Sequence, residues 1–208
     1  MSAPVEQQVE FGGLVIGYDH RVLAPREWTT AQSRWIAELS ASSAPGPVLE
    51  LCTGAGQIGL LAACETGREL VCVESSAAAA GHLRRNAERA GLDARVEVRQ
   101  QDLSTALEEG ETFPLVTADP PWVISSAVSR FPEDPLSAID GGADGLTVAR
   151  TCLSVIARHL APQGAAVLQL GSRSQVESLG TMAEQLDLCV RETRSYDRGV
   201  LVLLEASA

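Results

Sequence analysis

The sequence predicts an α/β fold: a mostly parallel seven-stranded sheet with one antiparallel strand near its edge, preceded by an N-terminal hairpin and a helix. Three observations carry this. From Val48 onward, short apolar runs alternate with segments of helical period, the pattern of parallel strands joined by crossover helices. The first run, Val48-Leu49-Glu50-Leu51, leads straight into the glycine-rich turn Cys52-Thr53-Gly54-Ala55-Gly56-Gln57-Ile58-Gly59. The last two runs, Leu188 to Glu192 and Val200 to Glu205, are separated by only the polar turn around Tyr196 to Gly199. That link is too short for a crossover, so the two pair antiparallel.

The elements follow in order. Met1 to Glu10 is polar and lacks the basic and apolar regions of an export signal. Val9 to Leu23 reads as an extended hairpin in which Phe11, Leu14, Ile16 and Val22 are interrupted by Gly12, Gly13, Gly17 and the turn-forming Asp19-His20. Pro25 ends it, and Thr29 or Thr30 caps a helix whose buried face is Trp35, Ile36 and Leu39. Ser40 to Pro47 is a small-residue connector. Val48 to Leu51 then pairs with a helix from Gln57 to Cys64, and Leu70 to Val73 with a helix from Ala77 to Ala90. Arg95 to Arg99, Leu115 to Ala118 and Ala165 to Leu170 continue the sheet, with a helix from about Leu146 to Leu160 between the last two. The expected organisation is one domain over residues 1–208, with a hairpin and helix in 1–40 and the binding core in 41–208.

Composition narrows the function. A net charge of −11 opposes nonspecific adhesion to a phosphate backbone, and the sequence cluster Arg84, Arg85, Arg89, Arg95 and Arg99 reads as a solvated helix face and strand edge. The five cysteines (Cys52, Cys64, Cys72, Cys152, Cys189) show no C-x-x-C spacing and mostly lie in apolar runs, as small hydrophobes in a reducing, cytoplasmic compartment. His20, His82 and His159 are too dispersed for a metal site and read as surface or helix-end residues, so no metal is expected. No apolar stretch approaches the ~20 residues of a membrane span, and no membrane partner is expected.

Gly54, Gly56 and Gly59 satisfy the dinucleotide pattern G-x-G-x-x-G, with Glu74 at the distance of its ribose-binding acid. Glu50 argues for a different ligand. A carboxylate there repels a pyrophosphate and suits a cationic amino group and sulfonium, the charges of S-adenosylmethionine. Glu74 ends the next strand, where it accepts from the ribose hydroxyls, and Asp102 ends the third, near the adenine amino group. Any one of these acids could be a solvated strand-end residue. Their recurrence at successive strand ends favours a ligand site along one sheet edge, with Thr53 in the turn beside them. A nicotinamide-dependent oxidoreductase would use the glycines and Glu74 but leave Glu50 without a task.

The strand Leu115 to Ala118 empties into Asp119-Pro120-Pro121-Trp122 at that same edge. Two prolines fix the backbone and remove two N–H donors, Asp119 adds an acceptor, and Trp122 a flat face. The loop suits a planar N–H group: accepting its hydrogens while stacking its plane aims the nitrogen lone pair at a methyl donor. A tight proline turn is the plainer reading of D-P-P alone.

With Glu133-Asp134-Pro135-Leu136-Ser137-Ala138-Ile139-Asp140-Gly141-Gly142-Ala143-Asp144-Gly145-Leu146 and the upstream Val22-Leu23-Ala24-Pro25-Arg26-Glu27-Trp28-Thr29, these motifs resemble class I methyltransferases of the HemK/PrmC type. The resemblance covers nearly the whole chain from about Phe11, and the I-D-G-G-A-D-G-L run is its most specific piece. It implies a Rossmann-like class I methyltransferase fold and S-adenosylmethionine as cofactor, held by Glu50, Thr53, Gly54, Gly56, Glu74, Asp102 and Asp119. It implies N-methylation of a protein glutamine amide by Asp119, Pro120, Pro121 and Trp122, with Arg26, Thr29 and Trp122 contacting substrate. The Ile139 to Leu146 run, where Asp144 can cap the following helix, is the expected lid or substrate wall. The chain departs from the family at Asp119 for Asn, Trp122 for Tyr, Glu27 for Pro and Thr30 for Glu. These changes touch the substrate side, so a small-molecule amine or amide follows as the next acceptor and adenine in nucleic acid the last, with a partner subunit or a catalytically silent binding module also open.

Overall fold

The structure, a computed structural model, describes residues 4–207; Met1 to Ala3 and Ala208, which the polar start and the 1–208 domain span include, lie outside the described residues. Nine strands and six helices run in the order β1 (Gln7–Phe11), β2 (Leu14–Tyr18), α1 (Thr30–Ser40), β3 (Val48–Leu51), α2 (Gln57–Thr66), β4 (Leu70–Val73), α3 (Ala77–Arg89), β5 (Val96–Arg99), β6 (Phe113–Ala118), α4 (Leu136–Ile139), α5 (Thr147–His159), β7 (Leu160–Leu170), α6 (Arg173–Gln185), β8 (Leu188–Ser195) and β9 (Val200–Ala206), among the described residues. The main sheet has the order β5-β4-β3-β6-β7-β9-β8, and β9 alone runs antiparallel to its neighbours, one place in from the edge. This is the predicted sheet. Strand order reverses between β3 and β6, the place where open α/β sheets form a ligand crevice at their strand C-termini.

Both faces of the sheet are covered, and strand alternation sorts residues between them. Val48, Leu70, Cys72 and Leu115 join Trp35, Ile36, Leu60 and Leu83 beneath α1, α2 and α3. Leu49, Leu51, Val71, Val73 and Val116 join Leu153, Ile156 and Leu179 beneath α5 and α6. The β1–β2 hairpin forms around Gly12-Gly13 and buries Phe11 and Ile16 in the first cluster. It is held to α3 by Asn86, whose Oδ1 accepts from the Gly17 N–H at 2.8 Å and whose Nδ2 donates to the Gly17 carbonyl at 2.9 Å.

Several expectations change. The helix at Thr30–Ser40 begins behind a short 3-10 turn, Glu27–Thr29, and Thr29 stands at its N-cap without a side-chain cap bond. Its hydroxyl donates back to the Arg26 carbonyl at 2.8 Å, because a residue already in helical conformation points its side chain at the preceding turn. Helix α6 carries no clear apolar period in sequence, although Ser172, whose Oγ accepts from the Gln175 N–H, marks its start. His82 is buried at 2% exposure, not a surface residue; its Nε2 lies 2.9 Å from Asp19, whose carboxyl is held well below its ordinary range chiefly by the Arg21 guanidinium. Cys64 is exposed, while Cys72 and Cys152 are buried. The arginines expected on a solvated face are partly paired: Arg85 and Arg89 with Glu6, and Arg99 with Glu97 and Glu111.

Candidate active site

The glycine turn lies where β3 passes into α2. Gly56 adopts φ 90, and a Cβ there would overlap the Leu83 side chain, so no larger residue allows α3 to approach this closely. A Cβ on Gly54 would meet nothing within 4 Å, so the turn is open on that side. Asn86 reaches the turn as well, donating from Nδ2 to the Ala55 carbonyl at 2.9 Å. One α3 side chain therefore fixes both the hairpin and the turn. Nothing local in the sequence marks Asn86, because its partners lie 69 and 31 residues away.

Glu74 sits at the end of β4 as expected. Its Oε2 accepts from the Gly54 N–H at 2.8 Å and its Oε1 from the Ser76 N–H at 2.7 Å, leaving lone pairs on both oxygens. Burial raises its pKa despite those bonds. Asp119, just past β6, is half-buried, and desolvation pushes its pKa up to about 7. Among the described residues, neither Glu74, Asp119 nor Glu50 is paired with an arginine or histidine. Glu74 and Asp119, half-buried at the strand ends without a counter-ion, fit a cationic ligand and disfavour a pyrophosphate. With the open side of Gly54, this donor set fits S-adenosylmethionine.

Glu50 itself requires a correction. It lies within β3, not past its end, and alternation turns it inward beneath α2 at 2% exposure. Its Oε1 accepts from the Gly59 N–H at 2.9 Å, and the Cys72 thiol lies 3.6 Å from Oε2. Glu50 therefore braces the first turn of α2 from behind. Desolvation pushes its pKa up to about 8, helped by the charges of Asp119 and Glu74. A carboxyl with this shift is protonated in the fold after it ionises in the unfolded chain, so its burial costs nothing below its ordinary 4.5 and costs more as pH climbs toward about 8. Glu50→Gln keeps an acceptor for Gly59 and cannot ionise. It is expected to change ligand-free stability little at about pH 5 and to raise it by roughly 1–3 kcal/mol at about pH 9. Chemical denaturation at both pH values measures this, and a variant less stable than its parent at the higher pH would contradict the assignment.

Other expected site residues are placed as follows. Thr53 is buried, its Oγ1 donating to the Val73 carbonyl at 3.2 Å, so it stitches β3 to β4. Asp102 is exposed and closes a local turn onto Ser104, which lowers its pKa. Arg26 donates from Nη2 to both carboxylate oxygens of Asp134, at 2.7 and 2.9 Å, tying the upstream segment to the stretch after the Asp119-Pro120-Pro121-Trp122 loop, the expected acceptor loop. Thr29 is buried and serves that same turn.

Trp122 is half-buried, its ring against Gly171 at the end of β7, where a Cβ would overlap it. The Ile139 to Leu146 run forms a clasp behind the loop. Val123 donates to the Ile139 carbonyl at 3.0 Å, Gly141 donates to the Val123 carbonyl at 2.8 Å, and the Asp140 carboxylate accepts from Ser125 Oγ and the Gly142 N–H. Asp144 accepts from the Leu146 N–H at 3.1 Å at the start of α5. Behind Asp119, buried Gln32 of α1 donates from Nε2 to Thr117 Oγ1, the Ala118 carbonyl and the Val167 carbonyl, at 2.7, 3.0 and 3.2 Å. The sequence reading missed Gln32 for the same reason as Asn86. A cleft of about 410 Å³ at the opposite end of the sheet, lined by residues such as Glu69, Arg95 and Phe113, contains none of these groups.

Residues 34–132, from α1 through the acceptor loop, match the family model described as Conserved hypothetical protein 95. The chain is 31% identical over 183 residues to the ribosomal protein uL3 glutamine methyltransferase of Bradyrhizobium diazoefficiens, covering 82% of this chain and 57% of that protein. It is 28% identical over 210 residues to the release factor glutamine methyltransferase of Clostridium acetobutylicum, covering 96% and 73%. Its match to the corresponding enzyme of Gloeobacter violaceus is 33% identical and covers 72% and 54%. The chain thus spans little more than half of two of these relatives. In fold it is similar to the ribosomal protein L11 methylase of Lactobacillus delbrueckii subsp. bulgaricus, with TM-score 0.68 and 12% identity over 92% of this chain and 84% of that one. It is likewise similar to the hMettl16 catalytic domain in complex with the MAT2A 3'UTR hairpin 6, with TM-score 0.73 and 14% identity over 93% and 76%. By sequence the chain is a homologue of the HemK/PrmC-type glutamine methyltransferases, and its fold is the Rossmann-like class I methyltransferase fold.

Proposed function

We propose that the chain is an S-adenosylmethionine-dependent N-methyltransferase whose acceptor is a glutamine side-chain amide of a protein. One observation carries the reading: β3 and β6 are adjacent and parallel, so the glycine turn and Asp119-Pro120-Pro121-Trp122 leave the same edge of the sheet. The relatives' names place their own substrates among ribosomal protein uL3 and release factors, which supports a protein acceptor in the cytoplasm. S-adenosylmethionine supplies an electrophilic methyl group on a cationic sulfur. In this reading Gly54 offers the open side of the turn, Glu74, with lone pairs left on both oxygens, would accept from the ribose hydroxyls, and Asp102 is assigned to the adenine side. Asp119 and the proline loop accept the acceptor's N–H hydrogens while the Trp122 ring stacks on its plane. We read the chain as one domain: among the described residues, Asn86 ties the hairpin and Gln32 the helix before Ala41 to the core, which supports that organisation.

Asp119 in place of the family's Asn fits this acceptor because of its environment. With its pKa pushed up to about 7, it is in part a neutral carboxylic acid near neutrality, able to donate as well as accept, as a carboxamide does. Ionised, it only accepts, which favours an amine; that is the observation behind the second reading, a small amine or amide metabolite. Methyl transfer from labelled S-adenosylmethionine into glutamine peptides, small amines and adenine oligonucleotides separates them. Label in a glutamine peptide, located by mass spectrometry on the side chain, supports the first reading; label only in amines moves the assignment to the second.

A further inference from the structure

Gln175 lies in the first turn of α6 and is 9% exposed. Its side chain joins three segments that meet behind the acceptor loop. Its Oε1 accepts from the Gly171 N–H at 2.8 Å, at the point where β7 ends beneath the Trp122 ring. Its Nε2 donates to the Trp122 carbonyl at 3.0 Å and to the carbonyls of Asp144 and Gly145, at 3.2 and 3.4 Å, in the Ile139 to Leu146 clasp. The two prolines deprive the loop of N–H groups with which to anchor itself, so its position depends on what binds its carbonyls. Gln175 binds one of them. The same side chain, through Gly171, holds the surface on which the indole rests.

We propose that Gln175 is a positioning residue of the methyl-transfer reaction, setting the place of the Trp122 ring and its carbonyl by bonding both the strand end below the ring and the loop beside it. The inference rests on the functional reading above for its kinetic consequences and on geometry alone for its structural ones. A plain helix-capping role is the competing account, because a glutamine three residues after an N-cap serine commonly accepts a backbone N–H there. The two halves of the side chain separate these roles. Gln175→Glu retains the acceptor for Gly171 and, once ionised, removes the donor to Trp122, Asp144 and Gly145, so it is measured across a rising pH series in which the loss must grow relative to the parent. Gln175→Ala removes both.

Each variant is compared with the parent in thermal unfolding, S-adenosylhomocysteine affinity, steady-state methyl transfer and fluorine NMR of 5-fluorotryptophan protein, with the Trp122 signal assigned by Trp122→Phe. Both variants are expected to lose about 10–100-fold in kcat with cofactor affinity within about two-fold of the parent, as misplacement of an acceptor loop predicts. The Trp122 resonance shifts or broadens in both, while Trp35, in the core, keeps its signal. A Gln175→Glu protein with the parent's kcat and Trp122 resonance would overturn the proposal in favour of capping alone. So would a loss of activity that merely follows the unfolded fraction. If the parent transfers no methyl group to any acceptor, the functional reading fails and the NMR comparison still decides whether Gln175 positions Trp122.

Discussion

Replacing Asp119 with alanine is expected to lower methyl transfer by at least about 10²–10³-fold, the scale at which removal of one group aimed at the reacting atoms is felt. S-adenosylhomocysteine affinity is expected to stay nearly unchanged. The asymmetry follows from where the carboxyl sits. Asp119 follows β6 without a side-chain hydrogen bond to the glycine turn, whereas the turn is held by Glu74, Glu50 and Asn86, none of which the substitution touches. Removing Asp119 also removes one of the charges that raise Glu50, so fold stability is not expected to fall. Single-turnover transfer and calorimetry on the same preparation measure the two quantities. Parallel loss of both would show that Asp119 holds the cofactor and not chiefly the acceptor.

The second large effect is expected at Gly145. Its φ of 75 is unfavourable for any side chain, and a Cβ there would overlap the Trp122 carbonyl oxygen and Gln175 Nε2. The carbonyl is backbone and cannot swing aside, so Gly145→Ala pushes the clasp away from the acceptor loop. We expect a fall of about 10²-fold in kcat, because displacements of the order of 1 Å cost that much in aligned reactions. Strain in the left-handed region adds roughly 1–2 kcal/mol of destabilisation. Cofactor affinity stays within about two-fold of the parent, since the glycine turn does not touch this segment. Kinetics below the melting transition measure the effect, and a fully active variant would detach the clasp from the chemistry. The same contact accounts for the specificity of the I-D-G-G-A-D-G-L run: Gly141 and Gly145 lie against the backbone of Pro121 and Trp122, where a side chain has no room.

Much of the fold is legible because β3, β4, β6 and β9 hold short apolar runs and the helices α3 and α5 have a helical period. The register within β3 is less so. Its two faces are both buried, so Leu49 and Leu51 look no different from Val48, and nothing in the run says that Glu50 faces α2. The acceptor loop and the clasp are legible because their chemistry is contiguous in sequence. Asn86, Gln32 and Gln175 are not, for each is a lone polar residue whose partners arrive from elsewhere in the chain, as with Gln32 and Thr117, 85 residues apart. Helix α6 is hidden in the sequence because Gly180 and a polar first turn weaken its apolar period, leaving only the Ser172 cap as a signal.

Among the described residues, the carboxyls at the strand ends have no counter-ion of their own, from which selection of a cation is expected. Glu74 and Asp119 stand at the strand ends, while Glu50, behind the turn, is mostly neutral below about pH 8 and serves the Gly59 N–H. S-adenosylmethionine differs from S-adenosylhomocysteine in its cationic sulfur, so the ratio of their affinities isolates this selection from contacts to the rest of the molecule. Asp119 changes charge around pH 7 in the free protein, and the ionised form favours the cation. Calorimetric titration of both compounds, and of NAD, from about pH 6 to about pH 8 is the most direct test. The predicted result is binding of both adenosyl compounds, a preference for the sulfonium that grows several-fold with pH, and no NAD binding of comparable strength. NAD binding without either adenosyl compound, or a preference that does not change with pH, would contradict it.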